Sequence, residues 1–182
     1  MLCASFNHSM HTDRQSRYIT PDCLRALYQF GPGNPWNKPN AANSYGIVEY
    51  TPEAYLASDL DMFFRNFSPS QVGARPIFDS IDGGVNQQQY KNFSFNGEPD
   101  LDLEYAMTLV YPQQVTLYQV GDLVEGASFN NFLDALDKSY CGGDDPTQDG
   151  IYPDPLAGGY KGPEDCGKYA PAKVISTSYS CK

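Results

Sequence analysis

Short apolar runs alternate with amphipathic stretches along most of this chain, and that order constrains its fold more than any other feature. Tyr45-Gly-Ile-Val-Glu-Tyr50, Arg75-Pro-Ile-Phe-Asp-Ser-Ile81, Gln114-Val-Thr-Leu-Tyr-Gln-Val120 and Lys173-Val-Ile-Ser-Thr-Ser-Tyr179 read as strands. Between the first two, Thr51-Pro52 predicts the start of a helix running to about Asn66, with Tyr55, Leu56, Leu60, Phe63, Phe64 and Phe67 spaced to cover a core. Glu98-Pro99 predicts a second helix to about Val110, and Ser128 to Ser139 a third, with Phe129, Phe132, Leu133 and Leu136 on one side. An earlier helix follows Thr20 as N-cap and Pro21 as first helical residue, with Leu24, Leu27 and Tyr28 on one face. Strands alternating with helical crossovers predict an α/β fold, a mostly parallel sheet with helices on both faces. In such sheets the loops after the carboxyl ends of the strands build the sites.

Residues 1–17 read as a polar tail and residues 18–182 as one unit, a length suited to a single domain. Charge narrows the partners. Twelve Lys+Arg against 22 Asp+Glu leave a net charge of −10. A stripe that neutralises phosphates is not expected, so the reading excludes nucleic acid and disfavours anionic membranes. No apolar run approaches the ~20 residues of a membrane span. The five cysteines form no Cys-x-x-Cys, and the only histidines, His8 and His11, lie in the tail, so no metal site is expected. Asp144, Asp145, Asp149 and Asp154 lack the spacing of a calcium loop and read as a solvated acidic segment. Asp59, Asp61, Asp134 and Asp137 are expected at the surface of their helices. Asn7, Asn66 and Asn92 head glycosylation sequons. The N-terminus carries no apolar signal-peptide core; with the odd cysteine count, this suggests an incomplete chain.

The densest chemistry is Gly97-Glu-Pro-Asp-Leu-Asp-Leu-Glu-Tyr105. On a helix Glu98 and Asp102 stack on one face, and Asp100 and Glu104 on another about 200° away. One pair is expected in solvent and the other against the interior or a cleft. Each pair brings two carboxylates to ~5–6 Å at Cβ, close enough to share a proton. Three readings stand at this point: acids favouring the helix dipole in a first turn, an acid/base couple acting on a sugar, or the base end of a hydrolytic triad. Periodicity does not choose among them.

Six segments in order do. Ile19-Thr-Pro-Asp-Cys-Leu-Arg-Ala-Leu-Tyr28, Gly46-Ile-Val-Glu-Tyr50, Asp59-Leu-Asp-Met-Phe-Phe64, Gly97-Glu-Pro-Asp-Leu-Asp102, Phe132-Leu-Asp-Ala-Leu-Asp137 and Val174-Ile-Ser-Thr-Ser-Tyr179 together resemble the sedolisin family of serine-carboxyl peptidases, in particular fungal secreted tripeptidyl-peptidases. The resemblance runs from about residue 18 to 182 and implies a subtilisin-like fold with a Ser-Glu-Asp triad. It assigns Glu98 as general base toward the serine and Asp102 as the residue orienting Glu98. It also implies peptide substrates, acidic working pH, an extracellular location, and a calcium ion in the full-length domain. The family's oxyanion aspartate, its serine in a Gly-Thr-Ser context and its calcium residues find no match in these 182 residues. The chain is therefore expected to be a truncated peptidase domain, inactive in isolation, with the 173–179 strand central in the complete sheet. A non-catalytic secreted pseudoenzyme is the alternative reading, and a glycosidase the third. The secreted character implied by the family favours a Cys141–Cys166 disulfide across the Gly/Asp/Pro-rich loop, with Cys3–Cys23 a weaker pair and Cys181 left over.

Overall fold

The structure is a computed structural model that describes residues 18–31, 38–139 and 141–179. Helix α1 (Pro21–Tyr28) precedes β1 (Tyr45–Tyr50), α2 (Ala57–Phe67), β2 (Ile77–Ile81), α3 (Phe93–Val110), β3 (Val115–Val120), α4 (Phe129–Leu136) and β4 (Val174–Thr177). The four strands form one parallel sheet in the order β2-β3-β1-β4. Register sets Glu49 beside Gln119 and Val48 beside Thr177.

Both faces of the sheet are covered, as the alternation predicts. On one, Ile47, Val115 and Leu117 pack against Leu60 and Phe64 of α2 and Leu103 and Met107 of α3. On the other, Val48, Ile81, Tyr118 and Val120 pack against Phe132 and Ala135 of α4, with Tyr169 and Ala172 closing the layer. Side chains buried on both faces explain the near-continuous apolar runs of β1 and β3. Strand β4 lies at an edge of this sheet: it pairs with β1 over four residues, and no described residue pairs with its other side.

Three helices depart from the sequence reading. Helix α1 has its expected cap, with Cys23 N–H donating to Thr20 Oγ1 at 3.3 Å. Its Leu27 and Tyr28 are exposed, and the residues it buries are Pro21 and Cys23. Arg25 donates to the Thr108 carbonyl at 2.9 Å, and the Tyr105 hydroxyl donates to the Ile19 carbonyl. Helix α2 starts at Ala57, not Pro52, because residues 51–56 spend their N–H groups elsewhere: Thr51 on the Val120 carbonyl and Ala54 on that of Phe95. Helix α3 starts at Phe93, five residues before Glu98, with Asn92 Oδ1 capping Ser94 N–H at 3.0 Å. Pro99 therefore lies inside α3.

Candidate active site

A proline in a helix interior deprives the carbonyl four residues back of its partner, at a cost of about 3 kcal/mol. In α3 that carbonyl is Phe95 O, and Ala54 N–H donates to it at 2.8 Å. Asn96 Nδ2 donates to the Ala54 carbonyl at 2.6 Å, and Asp100 Oδ1 accepts from Leu56 N–H at 2.7 Å. The β1–α2 loop is thus fastened to the very turns of α3 that carry Glu98 and Asp102. Its other side is fastened to the sheet. Gln119 Nε2 donates to Thr51 Oγ1 at 3.2 Å and to the Glu53 carbonyl at 2.9 Å. The chain crossing β3 at this point is Gly84, where an added Cβ would lie 1.9 Å from Gln119 O, so no side chain fits.

The two carboxylate pairs of α3 part as helix geometry requires, but neither pair is simply solvated. Asp100 is buried and caps the start of α2; burial pushes its carboxyl up to about 6. Glu104 follows on the same side, pushed up to about 7 by burial and by the nearby charges of Asp100 and Asp59. Glu98 and Asp102 face the other way, Glu98 exposed and Asp102 half-buried. Burial, then the charge of Glu98, raises the Asp102 carboxyl, while a hydrogen bond from Ser178 pulls it back. None of the four acids lies in the first turn of α3, so favouring the helix dipole does not account for them.

Two further carboxylates join this pair. Glu53, in the β1–α2 loop, is raised by burial and by the charges of Glu98 and Asp102. Glu49, in β1, is 3% exposed, and its Oε1 has no hydrogen-bond partner. Burial is the main cause that pushes Glu49 up to about 9, followed by the charges of Asp102, Glu53, Glu98 and Asp100. Burial and these neighbouring charges favour its neutral form. The sequence reading gave Glu49 and Glu53 no role. The available signal was a lone acid inside the apolar run of a strand buried on both faces. Glu49 and Glu53 lie at and beyond the carboxyl end of β1, and Ser178 just beyond β4, where a parallel sheet builds its sites. A groove of about 250 Å³ begins at Asp102 and runs between α3 and β1, lined by Tyr45, Ile47, Leu101, Tyr105 and Ser176 among others.

The remaining singled-out residues scatter. Asn66 is exposed near the end of α2, its Nδ2 donating to the Met62 carbonyl; Asn92 is the exposed N-cap of α3. Asn7 and Cys3 lie outside the described residues. Cys23 is disulfide-bonded. Cys141 and Cys166 form a disulfide with Cα atoms 5.9 Å apart. Asp61 accepts both guanidinium nitrogens of Arg75, at 2.8 and 3.0 Å, which holds its carboxyl down to about 2. The acidic loop is not solvated as expected. Asp145 is exposed, but Asp149 and Asp154 are buried, because each caps backbone of its own loop: Asp149 accepts from Asp145 N–H at 2.8 Å and Asp154 from Leu156 N–H at 2.5 Å. Asp137 is exposed at the end of α4, whereas Asp134 is 1% exposed beneath the disulfide-closed loop.

Comparison with known proteins finds relatives along nearly the whole chain. A tripeptidyl-peptidase of Arthroderma otae, SED1, is 52% identical over 170 residues, 90% of this chain and 25% of that protein. Aorsin of Aspergillus oryzae is 41% identical over 173 residues, 88% of this chain and 26% of its own length. A tripeptidyl-peptidase of Aspergillus fumigatus, sed1, is 38% identical over 168 residues, again 88% of this chain and 25% of that protein. The chain thus spans about a quarter of the length of these curated relatives. No protein-family model and no solved structure matches it.

Proposed function

We propose, for a chain that belongs to the sedolisin family of serine-carboxyl peptidases, that Glu98 and Asp102 are the carboxylate arm of a peptide-hydrolysing triad. Glu98, the more exposed of the pair, takes the proton of a serine hydroxyl as that oxygen attacks the substrate carbonyl, and later returns it to the leaving amine. Asp102, one helical turn away, orients Glu98 and shares its proton. Ser178 on Asp102 and the neutral carboxyl of Glu49 behind the pair are positioning groups. The observation that carries the reading is the coupling of Glu98 to Asp102 on one face of α3, with Asp102 half-buried and raised. Carboxylates so placed exchange protons at acidic pH, where a histidine would stay charged.

Neither a Gly-Thr-Ser serine nor the oxyanion aspartate is found in these 182 residues, so the chain by itself does not turn over peptides. The substrates are peptides, from which the relatives' names suggest that tripeptides are released; the family resemblance adds an acidic extracellular setting. The family's calcium ion belongs to residues that find no match here, and no step passes through it. The test is a chimaera in which residues 18–179 replace the matching quarter of the Arthroderma otae tripeptidyl-peptidase. It should release tripeptides at about pH 4, while the isolated chain releases none. A folded but inactive chimaera, or turnover by the isolated chain, contradicts the proposal.

A further inference from the structure

We infer that the disulfide-closed loop holds a divalent cation, calcium, between Asp134, Asp144 and Glu164. This cluster lies outside the Glu98–Asp102 site and is independent of its function. The three carboxylates come from separate places: Asp134 from α4, Asp144 three residues after Cys141, and Glu164 two residues before Cys166. The Cys141–Cys166 bond closes the loop and brings its two arms over Asp134. Ligand atoms of Asp134, Cys141 and Glu164 all lie within 4.8 Å of one another, and Asp144 touches the Asp134 carboxyl. Oxygens on opposite sides of one calcium ion stand about 4.8 Å apart, twice a Ca–O distance of about 2.4 Å. The Asp134 and Glu164 oxygens therefore stand within the span of a single ion, and Asp144 adjoins it through its contact with Asp134.

Burial makes this cluster different from an acidic surface. Asp134 is 1% exposed, and its Oδ1, in the interior, has no hydrogen-bond partner. Glu164 Oε1 is likewise buried and without a partner. No ion pair reaches them: among the described residues the salt bridges are Arg75–Asp61 and Lys168–Asp165. Buried carboxylates without a counter-charge are costly, and a bound cation removes that cost. The sulfur selects the kind of ion. Cys141 is oxidised and offers no thiolate, which leaves an oxygen donor set suited to a hard cation rather than zinc or copper. An irregular set of loop carboxylates suits calcium better than magnesium, which demands near-octahedral geometry. The remaining positions fall to loop carbonyls and water, as in other calcium sites.

The test is calorimetric titration of the 182-residue chain with calcium chloride at about pH 8, together with thermal unfolding with and without calcium. The expected result is one equivalent of calcium bound and a raised unfolding temperature. Asp134→Asn should weaken binding at least about tenfold and raise the unfolding temperature of the calcium-free protein, since it removes an unpaired buried charge. Glu164→Gln, at a less buried position, should weaken binding equally and decides the matter should Asp134→Asn not fold. Glu98→Gln should bind calcium like the parent. No binding by the parent, unchanged binding in both loop variants, or loss of binding in Glu98→Gln instead would overturn the assignment.

Discussion

The Phe95 carbonyl accepts from Ala54 N–H at 2.8 Å, in the place where Pro99 leaves it without a helical partner. That bond joins the loop after β1 to the helix that carries Glu98 and Asp102. It turns an internal proline from a defect into an attachment point. The side chains on either side complete the fastening, Asn96 to the Ala54 carbonyl and Asp100 to Leu56 N–H.

Asn96→Ala removes one of those fastenings and leaves the Ala54 carbonyl short of a donor in a buried setting. A loss of about 1–3 kcal/mol in unfolding free energy is expected. Chemical denaturation of the parent and variant measures it. Unchanged stability would mean that the loop is held elsewhere.

Asp100→Ala removes the acceptor at the start of α2, a helix whose N-cap residue Leu56 has no capping side chain of its own. About 1 kcal/mol should be lost, as for other helix caps. Asp100→Asn keeps an acceptor oxygen and should restore most of it. An Asn variant as unstable as the Ala variant would show that charge, not the cap, matters here.

Glu49 sets a pH dependence. Its carboxyl is pushed up to about 9 in the folded chain, from an ordinary value near 4.5. Between those values the folded state binds a proton that the unfolded chain does not. Stability from this group is therefore complete below about 4.5 and falls as pH rises toward about 9. The slope is at most about 1.4 kcal/mol per pH unit. Denaturation midpoints measured from acid to neutral pH should fall more steeply in the parent than in Glu49→Gln, where Asp100 and Glu104 still contribute. Parallel curves would place the pH dependence in other groups.

The Cys141–Cys166 bond closes a separation of 25 residues. Opening it should cost about 3 kcal/mol through the entropy of the unfolded chain. The paired Cys141→Ser and Cys166→Ser variant should unfold at correspondingly lower denaturant. Tyr118, whose hydroxyl donates to Ala170 O and accepts from Ala172 N–H, should lose its protection from solvent first. A variant as stable as the parent would show that the loop's internal hydrogen bonds suffice.

How far this was legible in the chain follows from which contacts are local. Strand positions were readable within about two residues because apolar runs bounded by turn residues report local burial. Glu98 and Asp102 were readable as a pair because a four-residue spacing fixes neighbours on a helix. The start of α3 was not, since Pro99 has the look of a first helical residue, and its tolerance inside the helix depends on Ala54, which is distant in sequence. Asp134 was read as surface because its stripe on α4 is polar; only the loop folded over it makes it buried. The edge position of β4 is a matter of pairing, which no local pattern records.

The most direct measurement is the rate of peptide hydrolysis at about pH 4 by the chimaera carrying residues 18–179, compared with its Glu98→Gln and Asp102→Asn forms. If these two carboxylates act as one proton-transfer unit, each change should lower kcat by about 10²–10⁴-fold, and the double change should cost little more than the larger single one. A Glu98→Gln chimaera that turns over peptide like its parent would contradict the assignment.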